Sequence, residues 1–183
     1  MCPVKDIMRT ERGTVMAFQK VDIKNLEFSP VKAIGDDWGI LTGVSDEGFN
    51  SMTVSWGSIG VMWNRPCVFA FVRPHRHTYK FMESGELFSL AIMNKDIHDR
   101  MTVFGRASGR DVDKYAESGF TAAEHEGVYF PEQAEMVFIC RKISAGDIKP
   151  EWFVDEKIDS ANYPAKDYHR MYIGEIITAL KKD

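Results

Sequence analysis

Residues Phe49–Glu83, FNSMTVSWGSIGVMWNRPCVFAFVRPHRHTYKFME, decide how the rest of the chain is arranged. The segment opens with Asn50-Ser51-Met52-Thr53-Val54-Ser55-Trp56. As a strand it would put Ser51, Thr53 and Ser55 on one face and Met52, Val54 and Trp56 on the other. Met62-Trp63-Asn64-Arg65-Pro66 reads as a turn. The apolar run Cys67 to Val72 has strand length without strict alternation, which suits a strand covered on both faces. Next comes the most basic short segment of the chain, Arg73-Pro74-His75-Arg76-His77-Thr78-Tyr79-Lys80. Thr78 to Glu83 then has one helical turn's worth of residues, with Thr78 positioned to act as its N-cap. Two strands and a turn that feed a cationic, hydroxyl-bearing loop form a geometry able to hold a flat aromatic ligand with a phosphate at one end.

Working outward, Val31 to Ile34 leads to a turn at Gly35-Asp36-Asp37, and Trp38 to Val44 reads as a strand closed by the turn Ser45-Asp46-Glu47-Gly48. Gly57 and Gly60 interrupt the chain beyond Trp56, marking a bulge or a close approach to the backbone. Downstream, Leu87 to Met93 is a strand, and Asp96 to Phe104 is a short helix with Ile97, Met101 and Phe104 on one face. A second short helix opens within Ser108 to Tyr115 and closes at Ser118-Gly119. Glu135 to Arg141 is a strand, Lys149-Pro150 and Asn162-Tyr163-Pro164 punctuate a loop, and a last strand lies within Tyr168 to Leu180. Residues 1–30 read as an arm or connector, helix or strand, and 31–183 as a single domain. About seven short strands with few helices predict a mainly β chain, a closed antiparallel barrel with helical inserts. A doubly wound parallel fold would need strands alternating with longer helices.

A chain of 183 residues can bury a full core without staples. The net charge of −4 argues against nucleic acid or an anionic membrane as partner, so a local basic cluster is the more informative. Cys2, Cys67 and Cys140 are far apart and form no CxxC; the latter two sit in apolar runs. The early charges at the N-terminus are not those of a secretory signal, and no run of about 18 apolar residues predicts a membrane span. The expected location is cytoplasmic.

The basic loop has two readings. Thr78 at a helix start, with Arg73 and Arg76 nearby, is a recipe for a phosphate seat, and equally these are solvated charges paired with surface carboxylates. The Ser51/Thr53/Ser55 strand either lies beside a ligand or is half-buried with a polar outer face. His75 and His77, with His98, His125 or His169, match no zinc spacing, so no metal is expected. His169 is a possible ligand donor or a partner for a strand-end carbonyl. No G-x-S-x-G, P-loop or G-x-G-x-x-G is present.

Asn50 to Gly57, Trp63-Asn64-Arg65-Pro66, Val72 to Tyr79, Phe88-Ser89-Leu90, Ser108 to Lys114 and Tyr172 to Ile176, taken in order, resemble the flavoredoxin-like branch of the flavin reductase family over roughly residues 30–178. The resemblance implies an FMN-binding split barrel acting as a homodimer, with NAD(P)H as co-substrate. It implies that Asn50, Ser51, Met52, Thr53, Val54, Ser55 and Trp56 run beside the flavin ring, that Arg73, Arg76, His77 and Thr78 sit at the phosphate end, and that Ser108, Gly109 and Lys114 lie close by. It makes His169 and Tyr172 candidates for the side where a nicotinamide would stack. The activity implied is hydride transfer from NAD(P)H to flavin and on to an acceptor; the alternative is a flavin-binding electron carrier reduced by a redox protein partner. Either accounts for a cationic pocket on an acidic protein, since a phosphate monoester brings nearly two negative charges.

Overall fold

The computed structural model describes residues 7–8 and 16–183. In chain order the elements are β1 (Ile7–Met8), β2 (Met16–Val21), α1 (Pro30–Gly35), β3 (Gly39–Ser45), β4 (Gly48–Val54), β5 (Ser58–Met62), β6 (Arg65–Val72), α2 (His77–Ser84) and β7 (Leu87–Ile92). Then come α3 (His98–Arg106), α4 (Lys114–Ser118), β8 (Ala122–His125), β9 (Val128–Pro131), β10 (Met136–Asp147), α5 (Glu156–Asn162) and β11 (Arg170–Lys182). Every pairing is antiparallel. The hydrogen-bonded path runs β5-β6-β11-β10-β7-β3-β4. Its two ends, β4 and β5, are joined by residues 55–57 alone, so the sheet curls on itself as a split barrel with its seam within Phe49–Glu83.

β11 organises the ladder. Residues 170–175 pair with β6, 179–182 pair with β2, and most of its length pairs with β10. Register shifts at Ile139/Cys140 and Lys142/Ser144 bend the β10–β11 pair, as bulges do where a sheet must curve. Part of the N-terminal segment read as an arm or connector therefore joins the sheet, through β2; residues 1–6 and 9–15, with Cys2, lie outside the described residues.

The period-2 pattern supplies two apolar faces. On β7, Leu90 and Ile92 turn into the barrel and Ala91 turns out. On β10, Phe138 and Cys140 turn in while Val137 and Ile139 turn out. The interior is filled by Met52, Val54, Phe88, Phe138 and Tyr172; Met101 and Phe104 of α3, Phe120, and Val128 and Phe130 of β9 cover the outer face. Each such buried side chain contributes about 1.5–3 kcal/mol.

Several expectations change. The described residues hold eleven strands, where about seven were expected. Gly57 and Gly60 flank and enter a strand, β5, which pairs with β6 around Trp63-Asn64; both turn residues have left-handed φ (50° and 59°), the two-residue turn that matches strand twist. β4 ends at Val54 rather than Trp56. Val31–Ile34 belongs to α1, capped by Ser29 Oγ accepting from Lys32 N at 3.3 Å. β6 is buried on its inner face; on the other face Cys67 is buried while Phe69 and Phe71 are only partly covered. Thr78 is not the N-cap of α2, since Arg76 holds that position without a side-chain cap bond.

Candidate functional site

Three cavities lie end to end along the seam. One of about 210 Å³ is lined by Met52, Thr53, Val54, Ser55, Trp56, Phe71, Arg73 and His169. Thr53 and Ser55 also line the next, about 250 Å³, with Trp38, Thr102, Gly105 and Arg106. Arg106 in turn lines a third of about 290 Å³, with His75, His77, Thr78, Ser108, Arg110 and Lys114. Shared walls make this a single groove that passes the end of β4 and reaches the first turn of α2, so Thr53 and Thr78 serve one cleft.

β4 is held in place by its hydroxyl face. Ser51 Oγ meets Thr42 Oγ1 at 2.8 Å and Tyr115 Oη at 3.1 Å, and Thr53 Oγ1 donates to the Met101 carbonyl at 2.8 Å. Ser51 is thus buried against α4 rather than turned to solvent. Met52 and Val54 point into the barrel, so they reach the groove mainly along their backbone edge. Asn50 is buried; with its carboxamide oxygen toward α2 it accepts from Thr78 Oγ1 at 2.7 Å and Thr78 N at 3.2 Å, satisfying a free N–H of the first helical turn. Gly109 packs on the other arm of the same carboxamide, where an added Cβ would lie 2.0 Å from the terminal atom that faces away from Thr78.

The cations of the third cavity divide into two kinds. Arg76 donates to the Gly105 and Phe104 carbonyls (2.6 and 3.3 Å), and Lys114 Nζ donates to the Ser51 and Phe104 carbonyls (2.9 and 3.3 Å). Both therefore close the C-terminal end of α3. Burial, then the Arg76 charge, lowers the Lys114 ammonium to about 8. Arg106 and Arg110, by contrast, are exposed and have no carboxylate partner among the described residues. His77 Nδ1 is buried without a hydrogen-bond partner among the described residues, and burial followed by the charges of Arg110, Lys80 and Lys114 holds the imidazole below its ordinary pKa. Two uncompensated guanidiniums and an orphaned ring nitrogen around one cleft fit an incoming anion.

The opposite end of the groove is nearly neutral. Arg73 is bound by Asp167 through two contacts of 2.7 Å and by the Asn162 carbonyl at 2.8 Å. His169 is 9% exposed, its Nδ1 lies 2.9 Å from Tyr163 Oη, and its ring centroid is 5.2 Å from that of Trp56. Burial, then Arg73, lowers its pKa to about 4.

The structure therefore brings Thr53, Ser55, Trp56, Arg76, His77, Thr78, Ser108 and Lys114 to one groove, with Asn50, Ser51 and Gly109 directly behind it. It puts Arg73 in the cavity that holds His169, engaged by Asp167, which His75 of the basic cleft also approaches at 3.3 Å. It keeps Tyr172 out of the groove altogether: the residue has no exposure and fills the barrel, its hydroxyl donating to Glu83 Oε1 at 2.7 Å. Sequence reasoning missed Arg106 and Tyr163. Arg106 is the last residue of α3 and signals itself only by standing two positions before Ser108-Gly109-Arg110. A larger hollow of about 420 Å³ between Phe28, Lys32, Asp37, Asn94 and Glu135 lies elsewhere, and its Lys32 is already paired with Asp37.

A family model described as a flavin reductase like domain matches residues 34–182. No curated protein sequence matches the chain. Among solved structures, the FMN-binding domain of a flavin reductases-like enzyme from Shewanella baltica OS155 is similar at 16% identity and TM-score 0.65, over 91% of this chain and 78% of that one. Flavoredoxin from Methanosarcina acetivorans is similar at 19% identity and TM-score 0.61, over 90% and 76%. An NADH:FAD oxidoreductase from Streptomyces globisporus C-1027, in complex with NAD and FAD fragments, is similar at 16% identity and TM-score 0.60, over 79% and 74%. These likenesses carry the fold, an FMN-binding split barrel.

Proposed function

This chain belongs to the family of flavin reductase-like domains, and on that premise we propose that it is an FMN-binding oxidoreductase taking electrons from NAD(P)H and delivering them to an acceptor. One observation carries the reading: a single groove, walled by β4, that is basic and short of counter-ions at one end and uncharged at the other. That gradient matches a ligand with an anionic tail and a flat heteroaromatic body. Arg106, Arg110, His77 and Ser108 would hold the phosphate. The edge of β4 from Thr53 to Trp56 would flank the ring, and Trp56 with His169 would border its open side. A bound flavin supplies the redox chemistry, accepting a hydride and passing the electrons on. The chain's own residues orient it, neutralise its tail and keep water from its face.

The reading includes a homodimer. Val61, Met62 and Trp63 are exposed at the tip of the β5–β6 hairpin, and Trp56 is 48% exposed nearby in sequence; apolar surface of this kind marks a contact site. It also includes a cytoplasmic location and a one-domain body over 31–183. No helix among the described residues is long and apolar enough to cross a membrane.

The test is an absorbance scan of the purified protein, mass spectrometry of the material released on denaturation, and mixing with NADH or NADPH without oxygen. FMN in the released fraction and rapid bleaching near ~450 nm are expected. Bleaching only on addition of a reduced redox protein would replace the reductase with an electron carrier. Absence of visible absorption even after FMN is added would overturn both.

A further inference from the structure

At the uncharged end of the groove one hydrogen bond stands apart from the barrel's own needs. Tyr163 is 3% exposed and immobilised by the rings of Phe153 (5.8 Å) and Tyr168 (4.9 Å) and by the Arg73 guanidinium 5.1 Å from its centroid. Arg73 is itself fixed by Asp167 and the Asn162 carbonyl. The Tyr163 hydroxyl meets His169 Nδ1 at 2.9 Å. Of the two ring nitrogens, Nε2 has no hydrogen-bond partner among the described residues, and His169 lines the cavity with Trp56 and Phe71.

The direction of that bond follows from acidity. A phenol is a stronger acid than a neutral imidazole N–H, and the bare ring nitrogen is the stronger acceptor, so Tyr163 donates. Burial raises the Tyr163 pKa and holds that of His169 down at about 4, which keeps the proton on the phenol and the imidazole neutral near pH 7. A neutral ring whose Nδ1 accepts carries its proton on Nε2.

We propose that Tyr163 is a positioning residue that locks His169 in the Nε2–H tautomer, so that the cavity between Trp56 and Phe71 offers a ligand an uncharged ring donor and selects a neutral carbonyl or carboxamide oxygen. The charges nearby fit the choice. Arg73 is neutralised by Asp167, which His75 Nδ1 also approaches at 3.3 Å, so no free cation is left there to repay the desolvation of a carboxylate. Anions are served at the other end of the groove. The proposal rests on the flavin reading only for what shares the cavity with the ligand; the tautomer is a property of the chain alone.

Two measurements decide it. In protein labelled with 15N-histidine, long-range 15N–1H correlations assigned with His169→Gln should show His169 as Nε2–H; Tyr163→Phe should give a mixture of tautomers. A predominant Nδ1–H form in the unaltered protein overturns the proposal, with or without flavin bound. In flavin-loaded protein, nicotinamide and nicotinate are titrated against the flavin spectrum. Nicotinamide should bind at least ~5-fold more tightly, and His169→Leu should weaken it about 10-fold, the worth of one hydrogen bond. His169→Gln, whose amide N–H can stand in for Nε2–H, should stay within about 3-fold, and Tyr163→Phe should weaken nicotinamide about 5-fold with flavin affinity unchanged. Nicotinate binding as tightly as nicotinamide, or Gln behaving like Leu, overturns it. A protein that takes up no flavin sinks the functional reading, while the tautomer measurement still decides this one.

Discussion

Four cations face or approach the basic end of the groove, yet hydrogen bonding divides their tasks. Arg76 and Lys114 are occupied by the carbonyls that end α3, so their removal acts chiefly on the fold; Arg106 and Arg110 have no carboxylate partner among the described residues. Arg106→Ala and Arg110→Ala should each weaken FMN binding by about 1.5–3 kcal/mol, the worth of a hydrogen bond to a charged group, with little change in melting temperature. Arg73→Ala should cost less in FMN affinity and more in stability, because its partners are Asp167 and the Asn162 carbonyl. Fluorescence titration and thermal melts check both; equal FMN affinity in Arg106→Ala and the unaltered protein would remove Arg106 from the site. A second prediction concerns His169. Its folded pKa of about 4 lies below the unfolded value of ~6.5, so below that value the unfolded chain binds more protons. The contribution is present above pH ~6.5 and is lost as pH falls toward about 4, with a full size on the order of 3 kcal/mol. His169→Gln should flatten that part of the stability curve in denaturant titrations. The sequence showed that the segment from Arg73 to Lys80 is basic; that both of its arginines are already engaged depends on carbonyls and a carboxylate some thirty to ninety positions away, which no local pattern reveals.

Among the elements, the loop between α3 and α4 is the tightest part of the site. Gly109 lies against Asn50, and a methyl group there would sit 2.0 Å from a terminal atom of the carboxamide. Gly109→Ala should therefore destabilise by roughly 1–3 kcal/mol and loosen the Asn50–Thr78 contact, seen as a lower melting temperature together with weaker FMN binding. Unchanged values for both would mean that the loop is free to move away. The elements readable in the sequence were those with strong patterns: β3, β4, β7, α3 and the start of β10 all fall near their predicted places. Those missed lack such patterns. β8 reads Ala-Ala-Glu-His, β5 is interrupted by Gly60, and α5 buries no side chain at all, so neither hydrophobic period marks them.

For the molecule as a whole, the barrel class followed from many short strands with turn residues between them, and its closure from contacts no window of sequence contains. The exposed hairpin tip bears on assembly. If the proposed homodimer forms through it, the unaltered protein should run as a dimer and Trp63→Asp should shift it toward the monomer in size-exclusion and light-scattering measurements, with far-ultraviolet circular dichroism unchanged; a monomeric parent would overturn the dimer, and an unaltered dimer mass in Trp63→Asp would assign its contact elsewhere. The edges of β11 serve β2, β6 and β10, and this sharing matters during synthesis. A nascent chain leaves the ribosome with β2 and β6 made long before their shared partner exists. During that interval both carry unsatisfied amides and carbonyls, the kind of edge that recruits foreign strands. Translation paused short of residue 170 should leave a polypeptide dependent on chaperones, whose folding is decided in the seconds after its last strand is threaded between its neighbours.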